Sequence, residues 1–123
     1  MKKFELTSET IVNALGVTLF RIKATVDIDR FGVKKGDLGG FIEKEDNLSG
    51  NAWVSGNARV YDNAQVSGNA RVSGDARVSG DARVYGNAWV YDNARVFGGA
   101  LVCGNTRVYH DEDEDDEDDD DEA

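Results

Sequence analysis

The chain has no proline, one cysteine, one histidine and one methionine among its 123 residues. A lone cysteine, Cys103, excludes a disulfide within the chain, and a reducing compartment is the simplest setting for it. A lone histidine, His110, excludes a zinc site built on three imidazoles. No run approaches the roughly 20 apolar residues that a membrane helix needs. The opening "MKKFELTSET" carries lysines but no apolar stretch behind them, so no secretory signal is expected. These absences predict a soluble, cytoplasmic protein without metal or cofactor.

Charge is abundant but divided. The net charge is −10, yet twelve consecutive acids occupy residues 111–122, which leaves the remainder at +2. They are Asp111, Glu112, Asp113, Glu114, Asp115, Asp116, Glu117, Asp118, Asp119, Asp120, Asp121 and Glu122. So dense a run of like charge buries no apolar surface, and residues 111–123 are expected to be a disordered tail.

The body repeats itself. Valine occupies positions 54, 60, 66, 72, 78, 84, 90, 96, 102 and 108, with alanine two residues earlier from Ala52 to Ala100 and Thr106 last. Ile42 and Leu48 fall on the same grid, giving twelve hexads over 42–108. A period of six is not helical, since helical apolar positions recur every 3.6 residues. Within each hexad Ala-x-Val is strand alternation. The remaining pair is mostly Gly-Asn, Gly-Asp or Asp-Asn, residues that tolerate left-handed backbone at a corner. Short strands joined by corners describe a coil whose interior admits only small side chains.

This pattern resembles the hexapeptide-repeat, left-handed parallel β-helix family, in which three hexads make one triangular coil. The resemblance implies an all-β parallel β-helix of about four coils over residues 39–110, about 19 Å tall at ~4.8 Å per rung. The chain departs from the family where glycine or an acid commonly follows the aliphatic position, and carries Ser55, Tyr61, Ser67, Tyr85 and Phe97 there. The segment "VKKGDLGGFIEKEDNLSGNAWV" is similar to the start of the helix in small phage and prophage hexapeptide-repeat proteins. The glycines of "GDLGG" are expected to serve corners. Residues 1–38 lack the repeat. "FRIKATVDI" alternates, with Phe20, Ile22, Ala24, Val26 and Ile28 on one face, and "KKFEL" and "ETIVN" are positioned to pair with it through a turn at Asn13 to Gly16. The expected result is a small N-terminal β cap over the first rung.

Eighteen residues per coil stack outward positions into columns. One face is expected to carry Trp53, Arg71, Trp89 and Arg107, flanked by Ser55, Ser73, Tyr91 and Tyr109. This column reads either as a self-sufficient cation–π ladder or as a partner-binding face, because Trp, Tyr and Arg dominate interface hot spots. A second face carries Phe41, Arg59, Arg77 and Arg95. Its arginines repel one another by about 1 kcal/mol or less per pair in solvent, and they either splay into water or hold an anion. The third, blander face is Asn47, Gln65, Arg83 and Leu101.

The resemblance raises an acyltransferase, since some of its members use a histidine base on a loop or at a subunit boundary. Here no loop interrupts the grid, and His110 stands beyond the last hexad beside the acids, without the orienting partner and pocket that a base needs. His110 reads as the end of the final rung and Cys103 as a small surface residue. No phosphate-binding loop of the G-x-x-x-x-G-K-[ST] type exists. The expected function is therefore a non-enzymatic, phage-type interaction protein, placed in the host cytoplasm if phage-encoded. Its partner would be a protein with a basic, nucleic-acid-binding surface, engaged by the acidic tail and the Trp/Arg face in a counter-defence role. The tail's alternative roles are solubility and folding back on the arginine column. Direct nucleic-acid binding is not expected with the tail present. A homotrimer, implied by the resemblance, a β-solenoid assembly module and a hexapeptide-repeat acyltransferase are further readings.

Overall fold

The computed structural model describes residues 3–110; the tail, expected to be disordered, and the side chain of His110 lie outside the described residues. Two-residue strands recur with the hexads: β4 (Trp53–Val54), β5 (Arg59–Val60), β6 (Gln65–Val66), β7 (Arg71–Val72), β8 (Arg77–Val78), β9 (Arg83–Val84), β11 (Arg95–Val96) and β12 (Leu101–Val102). Two longer ones, β10 (Trp89–Asp92) and β13 (Arg107–His110), interleave with them. Partners lie eighteen residues apart and parallel, as in Trp53↔Arg71, Trp89↔Arg107, Arg59↔Arg77 and Gln65↔Arg83. The chain is thus a parallel β-solenoid of about four turns with three sheet faces, and no α-helix occurs among the described residues.

Stacked rungs share one ladder: the Arg71 N–H donates to the Ala88 carbonyl at 3.0 Å and the Ser73 N–H to that of Val90 at 2.9 Å. Inside, the valines from Val54 to Val90 and the alanines from Ala58 to Ala82 have no exposed surface. Each fully buried valine contributes about 1.5–3 kcal/mol. At the corners the backbone must turn at positive φ while the next rung presses close. A Cβ on Gly86 (φ 70°) would lie 2.8 Å from the Gly104 nitrogen. Asp62 (φ 59°) and Asp92 (φ 58°) take the same conformation. The Asp62 carboxylate accepts the Gly80 N–H at 3.1 Å, and its own N–H donates to Glu43 Oε1 at 2.7 Å.

At the N-terminal end, β1 (Phe4–Val12) and β2 (Thr18–Ala24) form an antiparallel hairpin. Its turn is fastened by Asn13 Oδ1, which accepts the N–H groups of Leu15 and Val17. β2 then pairs antiparallel with β3 (Leu38–Ile42), which runs parallel to β5, so hairpin and solenoid share one six-stranded sheet. β2 is shorter than the alternating stretch in the sequence. It ends where the Ala24 N–H turns to the Asp37 carbonyl, and Ile28 is held instead by a bridge to Val33.

The cap corrects four expectations. Trp53 is not on an open face: it is 2% exposed and sits in one buried cluster with Ile22, Ala24, Ile28 and Val33. Phe41, expected outward on the arginine face, is buried too, under the Arg21 guanidinium 4.4 Å from its ring. Gly39 and Gly40 serve packing and not corners. Both lie in β3, where a Cβ on Gly39 would strike the Val54 carbonyl oxygen and stand 2.7 Å from Trp53 Cζ2, and one on Gly40 would stand 2.6 Å from the Ala58 carbonyl oxygen. Asn47, expected on the bland outer face, is fully buried. Its Oδ1 accepts the N–H groups of Glu43 and Lys44 at 3.1 and 2.8 Å, and its Nδ2 donates to the Ala64 carbonyl at 2.8 Å.

The two ends therefore differ. Ile42, Leu48 and Val54 in the first coil are fully or almost fully buried, whereas Ala100 and Thr106 in the last are exposed and Val108 is half-buried. Among the described residues, β11, β12 and β13 end their sheets.

Two variants test the closed end. Trp53→Ala should lower the free energy of unfolding in urea by about 3–5 kcal/mol, the usual cost of emptying a buried tryptophan site. Asn47→Ala strands buried backbone donors at about 1–3 kcal/mol for each one left without a partner. Urea midpoints unchanged from the parent protein would contradict the cap's role.

Candidate functional site

The repeat register brings Arg59, Arg77 and Arg95 into one column, each paired in register with the next. Arg59 is half-buried, whereas Arg77 and Arg95 are exposed. None of the three is ion-paired with a described residue, whereas in the cap Arg21 Nε meets Glu9 Oε2 at 2.9 Å. Beside the column runs an open groove of about 840 Å³, lined by these arginines with Asn57, Asp75, Asn93, Ala94, Val108 and Tyr109. Three guanidiniums, each with five donors, against one carboxylate among the described lining residues make the groove wall rich in positively charged hydrogen-bond donors. Its rungs are ~4.8 Å apart, so the donor sets recur at that spacing along the groove.

The aromatic face is smaller than its sequence column. With Trp53 under the cap, what remains is Arg71, Trp89 and Arg107, with Tyr91 and Tyr109. The two guanidiniums lie 5.4 and 5.6 Å from the Trp89 ring. The indole Nε1–H donates to Ser73 Oγ at 3.0 Å. Tyr91 packs on Trp89 with ring centroids 4.4 Å apart, and Tyr109 stacks on Tyr91 at 5.3 Å. The ladder is thus largely satisfied within the protein. Tyr109 is its exposed end, at 55%.

Sequence reasoning missed two members of this face, Arg30 and Phe31. The turn Asp29–Phe31 of the cap swings them over the column, placing Arg71 5.3 Å from the Phe31 ring. Together with Asn69, Asn87, Asn105, Arg71, Trp89 and Arg107 they line a second groove of about 390 Å³ that contains no carboxylate. Arg71 Nε is buried there without a hydrogen-bond partner among the described residues. A cap residue so far from the repeat in sequence leaves no periodic signal.

On the third face Cys103 is exposed. It stands one coil beyond Tyr85, and its hydrogen bond and charge push the Tyr85 phenol above its ordinary value. Among the described residues no helix is long and apolar enough to cross a membrane, and no group of three His, Cys, Asp or Glu side chains is placed to hold a metal.

This stacking of near-identical rungs matches a known repeat. A family model described as YdcK Beta solenoid repeat covers residues 52–65, 64–80, 76–92 and 88–104. The chain is a β-solenoid repeat protein. The matched segments run through β4 to β12 and leave out the cap, which accounts for the buried tryptophan that the repeat alone places outside. No curated protein is a significant match.

The two tryptophans should report their different settings. In Trp89→Phe the remaining Trp53 should resist acrylamide quenching, whereas in Trp53→Phe the half-buried Trp89 should be quenched several-fold more strongly. Equal quenching would place both indoles on one accessible face and contradict the capped geometry.

Proposed function

We propose that this β-solenoid protein is a non-enzymatic interaction module. It engages a partner of basic surface, of the kind that otherwise holds nucleic acid, through the carboxylates of 111–122. The observation that carries this reading is the division of charge. Twelve negative charges leave from the end of a body whose remaining charge is +2, and the last described strand is firmly paired to its neighbour, Arg107 to Trp89 and Tyr109 to Tyr91. A rigid platform thereby presents a polyanion whose charge spacing crudely approximates a nucleic-acid backbone.

The body supports the same reading. From β4 to β13 the rungs succeed one another without an inserted loop, so no wall rises to enclose a substrate, and both grooves described above are open surfaces. His110 has no part in catalysis on this reading. The Arg71, Trp89, Arg107, Tyr91 and Tyr109 face supplies secondary contacts, chiefly through Tyr109. A counter-defence role in the cytoplasm of a phage-infected host is the biological setting that suits a compact scaffold bearing a polyanion.

A second reading, an assembly module joined end to end or as a homotrimer, is favoured by one feature: the exposed Ala100 and Thr106 at the last coil. Charge beside that end works against such stacking.

The deciding experiment compares the full chain with residues 1–110 as bait in nuclease-treated lysate. A basic protein held only by the full chain, released by salt and competed by added duplex DNA, is the expected result. Capture of the same protein by both baits, or none by either, overturns the tail's role, and concentration-dependent oligomers of 1–110 alone support assembly instead.

A further inference from the structure

We infer that the groove along Arg59, Arg77 and Arg95 is a docking surface for this chain's own acidic segment, residues 111–122. The inference stands whether or not an external partner exists.

Four observations converge on that occupant. First, the three guanidiniums line one open groove with no described carboxylate in ion-pair contact, and Asp75 is the single acid in its wall. Like charges held one rung apart call for counter-charge, and the acidic segment is the largest store of it in the molecule.

Second, the groove is bounded at its far end by Val108 and Tyr109, on the strand that leads into the acids. Third, the eighteen-residue register fixes where the chain must leave the prism. Continued for another rung, it would set Glu112 over Ala94 and Glu114 over Val96, both inward positions. Burying unpaired carboxylates against an apolar interior is prohibitively costly. That cost disfavours a further rung beyond β13, which ends at His110 on the side of the prism toward the arginine face. Fourth, reach is ample: twelve extended residues span about 40 Å, against roughly 10 Å for two rung spacings of the column.

The second groove is the weaker host. Its Arg71 and Arg107 are already engaged with the Trp89 ring, and it lies on the face that the chain is leaving. Docking on the arginine column also screens that column from other polyanions, so the same protein would bind free polyanion only after its acids are neutralised.

The test uses the full chain, isotopically labelled, with Cys103→Ser and a nitroxide attached at Glu117→Cys. At low salt, amide signals of the rungs at 59, 77 and 95 should broaden, and those of the Gln65, Arg83 and Leu101 face should not. The contrast should vanish in about 1 M salt, where the screening length falls to ~3 Å, and in the triple variant Arg59→Gln, Arg77→Gln, Arg95→Gln. Equal broadening on all faces at low salt, or a contrast that survives both salt and the triple variant, would overturn the inference. So would broadening that appears only when labelled and spin-labelled copies are mixed, since that places the segment on a second copy. The salt series needs no arginine variant, so a misfolded triple variant leaves the inference testable.

Discussion

The narrow interior is the constraint on which everything else rests. From Ala58 to Val90 the inward positions alternate between alanine and valine, all within 1% of complete burial. Only Ile42 and Leu48 of the first coil are larger at these grid positions, so the chain gains buried surface chiefly by lengthening the prism, one hexad after another. That regularity fixes the outer surface as well. Because every third hexad returns to the same face, any side chain repeated at an interval of eighteen becomes a column, whatever its chemistry. Arg59, Arg77 and Arg95 are brought together by this geometry and not by mutual attraction. Their mutual repulsion, about 1 kcal/mol or less per pair in solvent, is a consequence of the fold.

A solenoid has two ends, and this one closes only the first among its described residues. The cap does so by extending one face antiparallel and packing Ile22, Ala24, Ile28 and Val33 over Trp53. The glycine pair at 39 and 40 lets β3 lie close to β4 and β5, and Asn47 satisfies the irregular first corner that glycine would otherwise make. The opposite end keeps its last alanine position and Thr106 exposed. It is there that the sequence changes from neutral repeat to polyacid.

The periodic part of the molecule was legible because local and global demands agree there: valine every sixth residue states the strand, the corner and the coil at once. The register of the arginine column, the twelve hexads and the positive-φ corners all follow from that spacing. What the spacing does not contain is the non-repeating cap. Trp53 and Trp89 occupy equivalent positions in the repeat, yet one is core and the other half-exposed, since only the first coil lies under β2 and β3. Phe31 and Arg30 join the aromatic face by a tertiary turn that no period encodes. For Asn47 a signal existed in hindsight: Asp46 and Gly40 stand where later hexads place alanine, marking the first two hexads as special. Function was the least legible part, because the grooves of the described residues are open surfaces whose chemistry does not name a substrate.

If the six-residue grid governs the fold, deletion should respect it. Removing residues 76–81, one whole hexad, moves each later rung to the next face but keeps alanine over alanine and valine over valine inside. Removing 76–80 shifts every later inward residue outward. Circular dichroism followed through urea unfolding should show the six-residue deletion retaining β structure and one cooperative transition, and the five-residue deletion losing both. Equal stability of the two deletions would contradict the account at its base.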